Sequence, residues 1–224
     1  VVFIVGIALE AAALILVMRF LQETLGGNVS DSAWNSNTRE RIVEFRALWK
    51  DVFKKALIPP PDLRGFYIAT AVDAFVWGLG AAILYGMLRK SYGFSLSQFG
   101  LMASVFSGAW AISQIPIGKL VDRWGCRLFL IVSEALGILL ITAWIFTSSF
   151  RVFLLLQVGW AIVAATWVPP MLAFLADRVS SEERAEAMGR MAAFRGIFAF
   201  PAPFIGGLLY ELWGIRGPLM ANLI

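Results

Sequence analysis

The sequence predicts an all-α fold, a multi-pass transmembrane helical bundle, and three observations carry that prediction. Of the 224 residues, 59% are hydrophobic and only 15% charged, whereas soluble domains carry about 25% charged residues. Six apolar runs are long enough to cross ~30 Å of hydrocarbon at ~1.5 Å per residue. The basic residues gather in alternate connections between those runs, as they do when one side of a bundle faces the cytoplasm. A soluble fold could not hide this much apolar surface, at a mean hydropathy of +0.77, so lipid serves as part of the solvent.

The same composition excludes several classes. There is one cysteine, Cys126, and no histidine, which rules out an internal disulfide, a Cys/His metal site and His-based catalysis within this chain. The net charge of +4 does not suggest nucleic acid, because the cations lie between apolar spans. No acid/base pair or nucleophile constellation of an enzyme stands out, and no cofactor is implied.

The first run, residues 1–21, begins inside an apolar stretch without an initiator Met or a signal-peptide pattern. The chain therefore reads as an internal piece of a longer protein. Residues 22–64 form the one long connection. After a loop-like start, Asn37-Thr38-Arg39-Glu40 resembles a helix start with a capping Glu. Ile42, Phe45, Trp49, Val52, Phe53 and Ala56 follow at helical spacing, interleaved with Arg and Lys. That pattern predicts a basic amphipathic helix on the inner membrane surface, ended by Pro59-Pro60-Pro61. The next runs are 65–88, 98–117, 128–147, 152–176 and 188–210, and another starts near Pro218. In the run 98–117, Gly100, Ser104, Gly108 and Ala111 form a small-residue row suited to close helix approach. If residues 22–64 are cytoplasmic, so are 118–127 and 177–187. With the flanking Arg19, Arg190 and Arg195, that side holds 15 of the 19 Lys and Arg residues.

The stretch Gly118-Lys119-Leu120-Val121-Asp122-Arg123-Trp124-Gly125-Cys126-Arg127 resembles the G-x-L-x-D-R-x-G-R-[KR] signature loop of the major facilitator superfamily. Cys126 departs from the pattern, where a basic residue is usual, and Arg127 keeps the last position. Gly118 and Gly125 suit close helix approach and a tight turn. Asp122 can accept hydrogen bonds from an Arg or a helix N-terminus, with Arg123 and Arg127 held on the cytoplasmic side. The resemblance implies a conformational latch here. Other pieces agree. Arg19-Phe20-Leu21-Gln22-Glu23-Thr24 is similar to the R-F-L-P-E-T ending of the family's sixth helix, with Gln22 for Pro. Tyr92 to Gly100 is similar to its short outer loop before the second or eighth helix, and Asp177-Arg178, Glu183-Arg184 and Ala187-Met188-Gly189 to its loop after the fourth or tenth. Pro203-Phe204-Ile205-Gly206-Gly207 resembles the G-P-x-x-G-G element, with Ala202 for its first Gly. That element is best known in antiporters.

The resemblance implies a register. Residues 1–24 are like helix six, 25–64 form the loop between the halves, and 65–224 hold helices seven to eleven with the start of helix twelve. It implies the second half of a permease that moves a small organic solute across a cell membrane, with protons as possible coupling ions and the N-terminal half as its partner. Drug or metabolite efflux is the direction it favours; the alternatives are a metabolite or sugar symporter or uniporter of the same fold, or a non-transporting membrane sensor.

Three acids lie within the runs: Glu10, Asp73 and Glu134. Burying an acid in a membrane span costs about 2.5–3.5 kcal/mol on insertion scales, which makes each a functional candidate. In the family, the seventh and tenth helices line the central cavity, which favours Asp73, on one face with Thr70, Trp77 and Gly80. Such an acid can bind a cation or carry a coupling proton, or it can be satisfied structurally by an Arg. Glu10 falls on a peripheral helix, and Glu134 lies near enough the cytoplasmic end to snorkel. Gln114, Gln157, Trp160 and Trp167 are the neutral candidates for a mixed organic pocket. Pro169-Pro170 suggests either a gating bend or a fixed one.

Overall fold

The computed structural model describes residues 57–223 together with Ala11 and Ala13. Two compact units are present, Val1–Trp49 and Lys50–Ile224. In the first, Ala11 and Ala13 are helical and exposed. The rest of the predicted run 1–21, Glu10 included, and the amphipathic helix of the long connection lie outside the described residues.

In the second unit every described element is helical. Pro61 opens a 3-10 turn, Pro61–Leu63, that feeds α1, Arg64–Gly80. A second 3-10 turn, Ala81–Ile83, separates α1 from α2, Leu84–Tyr92. α2 stops on Gly93, whose left-handed backbone (φ 69°) lets its N–H reach the Arg89 carbonyl. Ser95 then starts α3, Leu96–Trp124, through a reciprocal capping box with Gln98: the Ser95 Oγ accepts from the Gln98 N–H at 3.3 Å, and Gln98 Oε1 accepts from the Ser95 N–H at 2.8 Å. α4 is Cys126–Phe146, α5 Phe150–Ala176, α6 Arg184–Ala199, α7 Ala202–Trp213 and α8 Arg216–Ala221. α5 continues without a break through Pro169 and Pro170.

Five of these stretches are long and apolar enough to span a membrane: Pro61–Tyr92, Leu96–Trp124, Cys126–Phe146, Phe150–Ala176 and Arg184–Trp213. They coincide with the five predicted runs after residue 64. Large apolar side chains such as Ile112, Ile115, Leu139 and Leu155 point outward, which lipid tolerates and water does not.

One boundary differs. The third run was predicted to end at 117, with 118–127 as a loop, but α3 carries on through Trp124 and the turn is Gly125 alone, at φ 84°. Gly118 is therefore a helical residue, and a Cβ there would meet nothing within 4 Å. The small-residue row does not pack inside this unit either: Gly100, Ser104, Gly108 and Ala111 are all exposed.

Packing is centred on α5, which contacts both α3 and α4, while α1 packs on α6 and α7 and α8 wedges against α7, α1 and α4. Apolar cores form at both ends of the bundle. One gathers Leu63, Tyr67, Met171, Leu175, Met191 and Phe194. The other gathers Leu84, Leu88, Phe94, Met102, Trp144 and Phe153. Among the described residues, Asp73 on α1, Glu134 on α4 and Arg195 on α6 are charges within the spans.

Candidate functional site

Arg195 is the residue around which the site is built. The sequence reading placed it among the flanking cytoplasmic cations; instead it lies eleven residues beyond Arg184 within the span Arg184–Trp213, ~16 Å along the helix by rise. The signal was present in the sequence, since Phe194, Gly196, Ile197 and Phe198 surround it with uncharged residues. Its Nη2 donates to Asp73 Oδ2 at 2.9 Å, an ion pair between α6 and α1. Its Nε donates to the Thr70 carbonyl at 3.0 Å and its Nη1 to the Met171 sulfur at 3.2 Å. The Asp73 side chain is only 8% exposed and that of Arg195 22%. Paired charges at this depth offset a desolvation penalty that either alone would bear in full.

Asp73 stands where two cavities meet. One, of about 450 Å³, is lined by Asp73, Trp77, Trp160, Ala164, Trp167 and Arg195, among others. The second, of about 570 Å³, lies between α1, α4 and the end of α8, and includes Asp73, Trp77, Glu134, Trp167 and Asn222. Asp73, Trp77 and Trp167 form the wall the two share. Asn222 Nδ2 donates to the Val76 carbonyl at 2.8 Å, fixing the end of α8 beside that wall.

The aromatic lining is held from behind. Trp77 lies against Gly137, where a Cβ would come within 3.1 Å of its ring. Trp160 sits edge-on to Trp144 at 5.3 Å and near Phe106 at 5.1 Å. Such contacts narrow the rotamers open to a side chain. Ser133 Oγ donates to the Val163 carbonyl at 2.9 Å and joins α4 to α5 beneath the smaller cavity.

Other candidates fall elsewhere. Glu134 is exposed, on the larger cavity rather than at an interfacial Arg. Gln157 shares the helix of Trp160 but is fully buried, and neither it nor Gln114 lines the two cavities that meet at Asp73. In the signature stretch, Asp122, Arg123, Gly125 and Arg127 are exposed, and among the described residues Asp122 makes no ion pair. Of the Pro203-x-x-Gly206-Gly207 element, Gly206 faces inward: a Cβ there would sit 1.9 Å from the Leu79 carbonyl oxygen of α1, while Gly207 has nothing within 4 Å. Ala202 is tolerated in place of the first Gly because α1 presents Gly78 to it.

The described residues form a bundle of apolar spans around an ion pair and an aromatic cavity, and sequence comparison decides the family. The profile of the Major Facilitator Superfamily matches residues 65–224. The chain belongs to that superfamily. Its relatives include a "Probable L-galactonate transporter" of Escherichia coli, 31% identical over 130 residues that cover 58% of this chain and 29% of that protein. An "MFS-type efflux pump" of Mycolicibacterium smegmatis is 26% identical over 157 residues, 65% of this chain and 36% of the pump. An uncharacterized MFS-type transporter of Methanocaldococcus jannaschii is 25% identical over 137 residues, 61% of this chain and 36% of the relative. The chain spans about a third of the length of these relatives. As a Major Facilitator Superfamily member it is a multi-pass membrane protein of a transporter family.

Proposed function

We propose that this chain is the second helical half of a proton-coupled secondary transporter that moves a small organic solute by alternating access. The observation that carries the reading is the Asp73–Arg195 ion pair at 2.9 Å on the wall of the aromatic cavity. Ionisable groups held at membrane depth are costly and are kept mainly where a solute or a proton passes. An acid whose counter-charge sits on a different helix links protonation to helix position, which alternating access requires. The transporter names of the relatives support solute movement in preference to an enzymatic reaction. Those names include both a sugar-acid transporter and an efflux pump, so the solute is argued from the site itself.

In this reading residues 65–224 pair with an N-terminal half, and the exposed row Gly100, Ser104, Gly108 and Ala111, extended by Gly118, forms part of the contact between the halves. The basic stretches 22–64, 118–127 and 177–187 face the cytoplasm of a cell inner membrane. Asp122, Arg123 and Arg127 close one conformation from that side. The two arginines that bound the 177–187 connection support its placement at helix ends: Arg178 Nη1 donates to the Phe174 carbonyl at 3.1 Å and Arg184 Nε to the Ala176 carbonyl at 3.3 Å, at the C-terminus of α5.

The test is solute-driven proton movement in proteoliposomes holding the intact transporter. Asp73→Asn is expected to insert normally and to lose proton-coupled flux. Flux with unchanged pH dependence in that variant sinks the assignment. Labelling of Cys126 by a membrane-impermeant maleimide from the cytoplasmic face only, in oriented vesicles, tests the sidedness.

A further inference from the structure

We infer that the cavity lined by Trp77, Trp160, Trp167 and Arg195 takes an organic carboxylate, whose oxygens replace Asp73 on the Arg195 guanidinium while Asp73 takes up a proton. The inference rests on the proton-coupled reading above and names its substrate class.

Hydrogen-bond accounting points to an anion. A guanidinium offers five N–H donors and cannot be deprotonated. Arg195 spends one on a backbone carbonyl, one on a thioether and one on Asp73. Sulfur is a weak acceptor, so the Met171 contact is readily surrendered, and two N–H groups remain for a ligand. Trp167, on the same cavity, holds a buried indole N–H with no partner. The wall is thus rich in donors, and its charged acceptor, Asp73, is already engaged.

Protonation chemistry then fixes the sign. A cationic ligand that drew Asp73 away would leave itself beside Arg195, a like charge in a low-dielectric site with no means of neutralising. An anion that takes Arg195 leaves Asp73 beside it, and that repulsion ends when Asp73 accepts a proton on a carboxylate oxygen. Before exchange the site holds Arg195 and Asp73 with opposite charges; afterwards it holds Arg195, the carboxylate and neutral Asp73. Net charge is zero in both states. One carboxylate and one proton therefore enter together, with no bond formed except the new O–H. The other charged group facing Asp73 is Glu134 of α4, while α5 and α8 face it with uncharged Trp167 and Asn222. Trp77, Trp160 and Trp167 supply flat apolar surface for the carbon skeleton, and about 450 Å³ suits a small organic acid.

The experiment follows intrinsic tryptophan fluorescence of the intact transporter in detergent, titrated with benzoate, hexanoate and gluconate, their primary amides and the matching amines. Carboxylates are expected to bind in preference to amides and amines, with affinity falling about tenfold per pH unit where the linked proton must be supplied. Asp73→Asn leaves Arg195 without its counter-charge, so carboxylates are expected to bind that variant at least about tenfold more tightly, without pH dependence, and to raise its thermal midpoint. That gain cannot come from misfolding. Arg195→Gln is expected to lose the carboxylate preference. Preference for amines or amides, weaker carboxylate binding in Asp73→Asn, or intact carboxylate selectivity in Arg195→Gln each overturns the inference. So does failure of every carboxylate to bind. If Asp73→Asn abolishes the pH dependence of flux while Arg195→Gln keeps its selectivity, only the carboxylate assignment fails. If pH-dependent flux survives Asp73→Asn, the coupling reading has failed as well.

Discussion

Helix α1 is crossed twice by the span that contains α6 and α7, and the two crossings use opposite chemistry. Near its middle, α1 meets α6 through charge, with Asp73 Oδ2 2.9 Å from Arg195 Nη2 and the Thr70 carbonyl on the same guanidinium. At its end, α1 meets α7 through bare backbone, with Gly206 against the Leu79 carbonyl and Gly78 against Ala202. The α6–α7 span is interrupted between the two crossings, at Phe200 and Pro201, whereas α1 runs unbroken through both and gives way to the 3-10 turn Ala81–Ile83 only after the second. A polar crossing can be broken and remade, because each partner has an alternative: a proton for Asp73, another acceptor for Arg195. A glycine crossing has a single arrangement, set by steric contact. The pair of crossings therefore gives the helix couple one adjustable joint and one fixed one.

Breaking the adjustable joint from one side should have the largest effect. Arg195→Met strands Asp73 in a site where its side chain is 8% exposed, and removal of one partner from a buried pair costs about 3–5 kcal/mol. The expected result is a lowered thermal midpoint for the intact transporter in detergent, together with loss of proton-coupled flux. The double variant Asp73→Leu with Arg195→Met should regain most of the stability, since apolar replacement of a buried pair is often neutral, yet remain inactive in flux. Recovery of flux along with stability would sever the joint from transport and leave it a packing device.

The fixed joint comes next. A Cβ at 206 would lie 1.9 Å from a backbone oxygen, so Gly206→Val must push α7 from α1. Overpacking of this kind costs about 1–3 kcal/mol, and more when backbone must move. Stability should fall while any flux that survives keeps its pH dependence, because the charges are untouched. A change in pH dependence without loss of stability would show the two joints to be coupled.

The sequence made much of the architecture legible, because period and hydropathy are local properties. The five spans after residue 64 could be read directly. What was hidden depended on partners far along the chain. Arg195 was counted with the flanking cations because a charge count by side assigns every Arg to an end; its uncharged neighbours mark it as internal, but its partner Asp73, 122 residues away, needed the fold. The continuation of α3 through Gly118 was hidden for a related reason: glycine and charge suggest a turn, whereas a helix end at a membrane surface tolerates both. Asp73, Trp77, Trp160 and Trp167 line one cavity, in keeping with helix faces that follow from spacing. Gln157 shared that face by spacing yet is fully buried away from both cavities, since spacing gives direction and not which neighbour fills the space.

The smallest effect separates two adjacent glycines that sequence alone treats alike. Gly207 follows Gly206 in the same element, but nothing lies within 4 Å of a Cβ built at 207. Gly207→Ala should therefore be neutral or stabilising by up to about 1 kcal/mol, because alanine loses less backbone entropy in a helix. Gly206→Ala, by contrast, brings its methyl onto the Leu79 carbonyl and should destabilise. Thermal unfolding of the two variants side by side checks this. Equal effects would mean that the element acts through helix propensity alone, and the close α1–α7 contact would no longer explain why a glycine stands at 206.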